Sequence, residues 1–418
     1  MLRVSNVQST KEPMAAPSRL FRFLLSLQAA VVTGWKIDPI EDGLIIRVRR
    51  RSHASPRCAR CGEVLTGKIT RNTRRWRHLD AVSQRCYIEY AIREGYCSKH
   101  GRRVEAVPWA APAARHTHDF DRQVAALVQV ADRTAIARVF RISWRTTGRI
   151  IKRVVDKELP KDLLRGLTAI AVDETSHKRG HRYLTIVYCL TSARVVWIGK
   201  GKSAAVLGQF FEKLGKSRAR KLEVIAMDMS GAYKKAVEKW APNADIVYDR
   251  FHVVKLLLEA VDEVRREICR ELQGDQRNVL KGTRFALLRN PRHRTPKDVE
   301  TIRTVVSRNR KLTRTYELRV DFEGLWTCRD EHEARDFLMR WTRGALCSRR
   351  KPLRKFANTI REHLEGILGF FRWHGQTSSP LEGMNNKIKL LIHRAYGFKS
   401  VPALMAMIHL CCSGIDLT

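Results

Sequence analysis

Residues 169–190 read AIAVDETSHKRGHRYLTIVYCL. Four apolar residues, Ala169–Val172, run into Asp173, and after a polar turn a second apolar run covers Tyr183–Leu190. Short β-rich apolar runs bounded by turn residues predict buried strands. Runs of the same kind lie at Val195–Ile198, Val224–Met227 and Ile246–Tyr248, with helical periodicity over Ala204–Leu214 and Tyr233–Trp240 separating the later ones. Three adjacent strands, then strand and helix in alternation, predict a mixed α/β sheet. Beyond Phe251 long amphipathic stretches dominated by Leu and Arg predict helix almost to the end of the chain.

Two of these strands end in a carboxylate. Asp173 closes the first and Asp228 the fourth, each after apolar residues and before a polar turn. Adjacent buried strands would set the two acids side by side at one sheet edge. Like charges there are costly unless a cation shares them, and hard divalent ions take oxygen ligands of this kind. Each Asp also suits a plain turn, and Asp228, ahead of Ser230-Gly231-Ala232, suits an N-cap. A third carboxylate is Glu382, in SSPLEGMNNK (378–387). Ser379, with Pro380 at N1 and Glu382 at N3, fits a capping box. On the other reading, Leu381, Met384, Ile388 and Leu391 form the apolar stripe of a helix, and Glu382, Asn386 and Lys389 form another. A carboxylate, an amide and an ammonium on one face suit a metal ion beside a phosphodiester.

The surroundings of these acids are strongly basic. The 418 residues carry 80 Lys/Arg against 42 Asp/Glu, a formal net charge of +38. A surplus this large repels itself unless a polyanion is present, and nucleic acid is the expected one. A hydrophobic share of 44% excludes disorder for the bulk of the chain. Gly (24) and Pro (13) near background exclude a collagen-like protein. No apolar run reaches 18 residues, so no membrane span is expected. Leu24–Gly34 lacks a signal-peptide cleavage site and reads as a small helix or strand of a cytoplasmic protein. Of ten cysteines only the first four cluster; the others lie among apolar neighbours, as thiols do in a reducing compartment.

Those four belong to the most basic region, where residues 45–103 hold 16 Lys/Arg against 4 Asp/Glu. Cys58-x-x-Cys61 and Cys97-x-x-His100 supply four ligands that zinc takes tetrahedrally, and a small module gains much of its folding energy from such an ion. Cys86 competes as a fourth ligand, although Tyr87, Ile88 and Tyr90 beside it read as strand. Arg71, Arg74, Arg75 and Arg77 around Trp76 read as a phosphate-gripping stripe. Residues 119–155 then read as a helix-turn-helix: Asp119–Val130, a short helix from Thr134, and Trp144–Val155 with Ser143 as N-cap. On the last helix Arg145, Arg149, Lys152 and Arg153 line one side, opposite Ile150, Ile151 and Val154. That suits a major groove, and equally a helical linker with a solvated basic face. Trp326 and Trp341, in the later helical region, read as core anchors.

The motifs together carry a resemblance. AVDETSHKRGHRYLTIV (171–187), VIAMDMSGAYKKAV (224–237), NADIVYDRFHVVKLLLEAVDEVRRE (243–267), VLKGTRFALL (279–288) and SPLEGMNNKIKLLIHRAYGF (379–398) are similar to DDE transposases of bacterial insertion sequences, of the ISL-three family. The CxxC…CxxH pair, the Trp109 region and RISWRTTGRIIKRVV (141–155) are similar as well, so the resemblance covers nearly all of the chain beyond residue 20. Family members often carry a second CxxC where this chain has Cys97-x-x-His100; His remains an acceptable zinc ligand.

The resemblance implies an α/β RNase H-like catalytic core interrupted by an all-α insertion and preceded by a zinc-binding module and a helix-turn-helix. The expected divisions are a flexible tail (1–19), the zinc module (20–112), the helix-turn-helix (113–160), the first part of the core (161–252), the insertion (253–370) and the C-terminal core helices (371–418). Asp173, Asp228 and Glu382 match the DDE triad, and the 154 residues from Asp228 to Glu382 accommodate the insertion. Asp249 and His252 match a D-x-x-H signature; structurally, Asp249 suits a cap for the helix at Phe251. The implied activity is cleavage at transposon ends and joining of the 3′-OH ends to target DNA, with two Mg²⁺ ions (or Mn²⁺) per site and a structural Zn²⁺. Asn386, Lys387 and Lys389 would position DNA backbone, and the N-terminal modules would bind the terminal inverted repeats as double-stranded DNA. A homodimer or larger assembly on DNA, nucleoid-associated in a bacterial cytoplasm, is expected. The alternative is a catalytically silent DNA-binding regulator derived from such an enzyme, against which three intact carboxylates stand.

Overall fold

The computed structural model describes residues 21, 30–39, 43–51, 55–178, 182–373, 379–395, 397–398 and 400–417, without the side chains of 178, 275–276, 279, 308 and 379–382. The tail expected over 1–19 and residues 24–29 lie outside them. Two compact units form, residues 1–158 with 416–418, and residues 159–415.

The first unit opens with five strands, β1 (Ala30–Asp38), β2 (Gly43–Arg50), β3 (Thr66–Ala81), β4 (Gln84–Cys97) and β5 (Gly101–Val104). They order as β1-β2-β4-β3, with β5 on β4. Cys86, Ile88, Tyr90 and Ile92 alternate into the core along β4, the period of two that a half-buried strand requires. Trp109 closes that core, edge-on to Trp76 at 5.8 Å and to Tyr90 at 5.3 Å. Three helices follow, α1 (His118–Val130), α2 (Arg133–Val139) and α3 (Trp144–Glu158). Thr117 and Asp132 cap the first two, and the Ser143 hydroxyl accepts the Thr146 N–H at 3.1 Å to open the third. Phe120, Val124, Ile136, Ile150 and Ile151 are buried among them.

The second unit is built on β6 (Ala169–Lys178), β7 (Arg182–Cys189), β8 (Arg194–Lys200), β9 (Val224–Met227) and β10 (Asp245–Tyr248), in the order β10-β9-β6-β7-β8. All five apolar runs of the sequence are strands. β6 pairs antiparallel with β7 and parallel with β9, so the sheet is mixed. Between strands lie α4 (Ala204–Leu214), α5 (Lys216–Ala219) and α6 (Gly231–Trp240). After Tyr248 every regular element among the described residues is helical. These are α7 (Arg250–Glu271), α8 (Gly274–Gly282), α9 (Arg284–Leu288), α10 (Pro296–Arg308), α11 (Arg310–Asp321), α12 (Glu331–Cys347), α13 (Lys351–Glu362), α14 (Leu364–Arg372), α15 (Ser379–Arg394) and α16 (Val401–Cys412), with two 3-10 turns.

Both faces of this sheet are covered, which explains its continuous apolar runs. Ile170, Val172, Ile225 and Met227 pack with Leu207, Phe210 and Val237 of α4 and α6. Ala171, Leu184, Ile186 and Ala226 pack on the other face with Ile388, Leu391, Leu404 and Ile408 of α15 and α16. α14 lies against edge strand β10, where Gly366 and Gly369 let the backbones approach: a Cβ on Gly366 would stand 2.3 Å from the Tyr248 ring. Trp341 is buried, donating its indole N–H to the Leu318 carbonyl at 2.8 Å, and Trp326 stacks on Phe371.

Candidate active site and zinc centre

The parallel register of β6 and β9 pairs Ala169 with Val224, Ile170 with Ile225 and Ala171 with Ala226. Continued two residues along, it brings Asp173 level with Asp228 at one edge of the sheet. Burial pushes both carboxyls up, and the facing Asp228 charge adds to the effect on Asp173. Asp173 takes the Glu174 backbone N–H at 2.7 Å and the side-chain amide of Asn385. The Asn385 carbonyl oxygen is in turn held by the Tyr188 hydroxyl at 2.8 Å. Asp228 is less satisfied: its Oδ1 is buried with no hydrogen-bond partner. It does not cap the following helix, since Ser230 occupies that position. Two level carboxylates, one with an orphaned oxygen, fit a divalent cation.

Asp249 follows β10, its N–H bonded to the Met227 carbonyl at 3.1 Å, which places it beside Asp228. It caps α7 through the Phe251 N–H and holds His252 Nδ1 at 3.0 Å. That bond pushes the imidazole up, with Asp173 and Asp228 adding to the effect. Glu382 lies on α15, one turn ahead of Asn385; its side chain and residue 378 lie outside what is described, and Ser379 is the first helical residue. Asn386, Lys387 and Lys389 are exposed on the same helix.

Sequence reasoning passed over three residues here. Asn385, not Asn386, faces Asp173, and the signal was its i+3 spacing from Glu382. Tyr188 had only its place inside a strand. Glu174, next to Asp173, is half-buried, with burial pushing it up against the offsetting hydrogen bond from Tyr233.

The zinc ligands come together from two knuckles. The Cys58 N–H bonds Glu63 O at 2.7 Å and the Gly62 N–H bonds Cys58 O at 2.9 Å, with Gly62 at φ 79°. The second knuckle joins β4 to β5, where Glu63 reaches across to Ser98 at 2.9 Å and to Lys99 at 2.6 Å. All four ligand atoms of Cys58, Cys61, Cys97 and His100 lie within 4.8 Å of one another. Cys61–Cys97 and Cys97–His100 are 3.6 Å apart and Cys58–His100 4.0 Å, edges that suit a tetrahedron around zinc. Burial pushes the Cys58 thiol up, but the Arg60 and Cys61 backbone N–H groups outweigh it and bring the value to about 7. Cys86 is no ligand: it is buried under the sheet, where burial lifts its thiol to about 11.

The arginines separate into two kinds. Arg145, Arg149 and Lys152 are exposed on α3. Arg153 instead makes a bidentate pair with Asp121, both contacts at 2.8 Å, which commits its guanidinium to fastening α3 onto α1. Arg77 also departs from the sequence expectation. It is buried, paired with Asp80 and set against the Tyr87 and Phe120 rings, so it braces the module from within. Arg75 pairs with Glu89 at 2.8 Å, and Arg74 donates to Ala114 O at 2.8 Å over the Trp76 ring. Among the described residues no helix is long and apolar enough to cross a membrane.

Three family models match the chain in succession. A zinc-finger model of the transposases of IS204, IS1001, IS1096 and IS1165 matches residues 54–100, and a helix-turn-helix model of transposase family ISL3 matches 105–155. The ISL3 transposase model itself matches 170–408. The transposase for insertion sequence element IS1557 of Mycobacterium tuberculosis is 33% identical over 426 residues, spanning 95% of this chain and 96% of that protein. The transposase for insertion sequence element IS1001 of Bordetella parapertussis is 31% identical over 346 residues, spanning 82% and 85%.

Proposed function

The chain belongs to the ISL3 (ISL-three) family of insertion-sequence transposases, and from that footing we propose that it binds the terminal inverted repeats of its own element, hydrolyses the phosphodiester at each end and joins the freed 3′-OH to target DNA. The observation that carries this reading is the level pair Asp173 and Asp228, with the orphaned Asp228 oxygen and an Asn385 contact from the helix of Glu382.

Asp173, Asp228 and Glu382 are the residues that would hold two Mg²⁺ (or Mn²⁺) ions. Bound there, the ions supply a water of lowered pKa and neutralise charge developing on the leaving 3′ oxygen. Asn385 fixes the direction of the Asp173 carboxylate, and Asp249 fixes the ring of His252. Asn386, Lys387 and Lys389 hold DNA backbone, and the transposon 3′-OH takes the place of water in the joining step. A mixed sheet covered on both faces supports an RNase H-like core, and the helices after Tyr248 support an insertion. Processing two ends together calls for a homodimer or larger assembly.

The test is Mg²⁺-dependent cleavage of a fragment carrying the element's own terminus, mapped to the nucleotide, for wild type, Asp173→Asn and Glu382→Gln. Cleavage at the terminal 3′ end that both variants lose, with DNA binding retained, supports the proposal. A variant that cuts normally overturns its part of the site. Binding without cutting by the wild type points to the regulator instead. Joining of a labelled 3′-OH end separates a transposase from a nuclease.

A further inference from the structure

Within the first unit, a cleft of about 580 Å³ is lined by Arg74, Arg75, Arg77, Arg85, Arg115 and Arg141, together with Tyr87 and His116. No carboxylate is among its lining residues. Three carboxylates stand behind it: Asp80 serves both Arg77 and Arg141, and Glu89 and Asp38 serve Arg75. Arg85 and Arg115 form no ion pair among the described residues, and Arg115 is exposed.

The backbone adds a second observation. Arg141 ends α2 at φ 53°, with its N–H on Arg138 O at 3.0 Å and the Ile142 N–H on Ala137 O at 2.9 Å. This is a Schellman cap, whose left-handed position glycine occupies most readily; a residue with a Cβ costs about 1 kcal/mol there. That residue's guanidinium meets Asp80 and, at 3.1 Å, Ser83 O, neither of which lines the cleft. Strain of this kind collects at functional sites. His116, on the cleft lining, links it electrostatically to α3. Burial pushes His116 down to about 4, and Arg153, Arg77, Arg115 and Arg149 reinforce the shift, so Arg149 of α3 shares its field.

We propose that this arginine cleft is a phosphate clamp for the backbone of double-stranded DNA whose major groove is entered by α3. The proposal rests on the reading of the chain as a binder of its element's ends. Gathering cations in a concave, partly desolvated wall is unfavourable in the free protein and becomes favourable when phosphodiesters replace the missing carboxylates. Of the three arginines without an ion pair among the described residues, Arg74 is committed to the Ala114 carbonyl, which leaves Arg85 and Arg115 as the direct contacts; Arg141 and Arg75, held by carboxylates, shape the wall. The clamp reads no bases, so it contributes equally on any duplex.

The experiment measures binding of the full chain to a terminal-repeat duplex and to an unrelated duplex of equal length across a salt series. Arg85→Ala/Arg115→Ala should weaken both by the same factor and flatten the plot of log affinity against log salt by about 2, one for each lost phosphate contact. Arg85→Lys/Arg115→Lys should keep the slope. Zinc content and melting temperature equal to wild type show that the fold is intact. An unchanged slope in the alanine pair, or a slope lost equally in the lysine pair, overturns the clamp. If wild type shows no preference for the terminal repeat, the end-binding reading fails, while the slope still decides the clamp.

Discussion

Asn385 donates its side-chain amide to Asp173, joining α15 to β6 across 212 residues of sequence, and the Tyr188 hydroxyl holds the other end of that amide at 2.8 Å. The contact ties the helix that carries Glu382 to the strand that carries Asp173. Asn385→Ala leaves the buried Tyr188 hydroxyl without its acceptor and frees the carboxylate to turn. The expected result is a loss of end cleavage of at least tenfold with terminal-repeat binding unchanged, and about 1–3 kcal/mol lower stability by urea unfolding. Cleavage at the wild-type rate would remove Asn385 from the site.

Asp173 and Asp228 repel each other in the metal-free protein. Mg²⁺ at ten times its dissociation constant should stabilise the wild type by about 1.4 kcal/mol, seen as a rise in melting temperature. Asp228→Asn removes one of the two facing charges, so the metal-free variant should melt at or above the wild-type temperature and no longer respond to Mg²⁺. A full Mg²⁺ response in the variant would place the ions elsewhere.

The Cys58, Cys61, Cys97 and His100 ligand set predicts about one zinc per chain by metal analysis. Cys97→Ser should lose that zinc and unfold the two knuckles, because little apolar surface surrounds them beyond Leu65. Wild-type protein free of zinc yet melting cooperatively in both units would refute the assignment.

Burial, with Lys213 adding to it, pushes the His409 imidazole down to about 4, against about 6.5 unfolded. A group whose folded value lies below its unfolded one takes up protons on unfolding. Its contribution is complete above about pH 6.5 and is lost as pH falls towards 4. Discounted for partial exposure, the loss is about 2 kcal/mol by pH 4. Urea midpoints at pH 7 and pH 4.5 should differ less in His409→Gln than in wild type.

A methyl group at Gly366 would stand 2.3 Å from the Tyr248 ring, and the strand cannot recede without losing its pairing with β9. Gly366→Ala should cost about 1–3 kcal/mol in urea unfolding. A neutral substitution would mean that α14 is free to lift from the sheet.

The strands and the acids at their ends were legible because a strand covered on both faces must be apolar throughout, and Asp173 and Asp228 each break such a run. The Cys and His spacings were legible because metal ligands must come as knuckles. Side-chain commitments were not. Arg77 and Arg153 look like Arg145 and Arg149 in sequence, yet Asp80 and Asp121 claim the first two, and these partners are set by how helices and strands cross.

By itself the sequence determined the order of the zinc-finger, helix-turn-helix and transposase segments, the mixed sheet and the pairing of a CxxC knuckle with a CxxH knuckle. Local periodicity and ligand spacing are short-range properties written along the chain. Only the tertiary structure decided that Asp173 stands level with Asp228, that Asn385 rather than Asn386 meets Asp173, and that six arginines share one cleft. Each of these depends on strand register or helix rotation, where a shift of one residue turns a side chain to the opposite face.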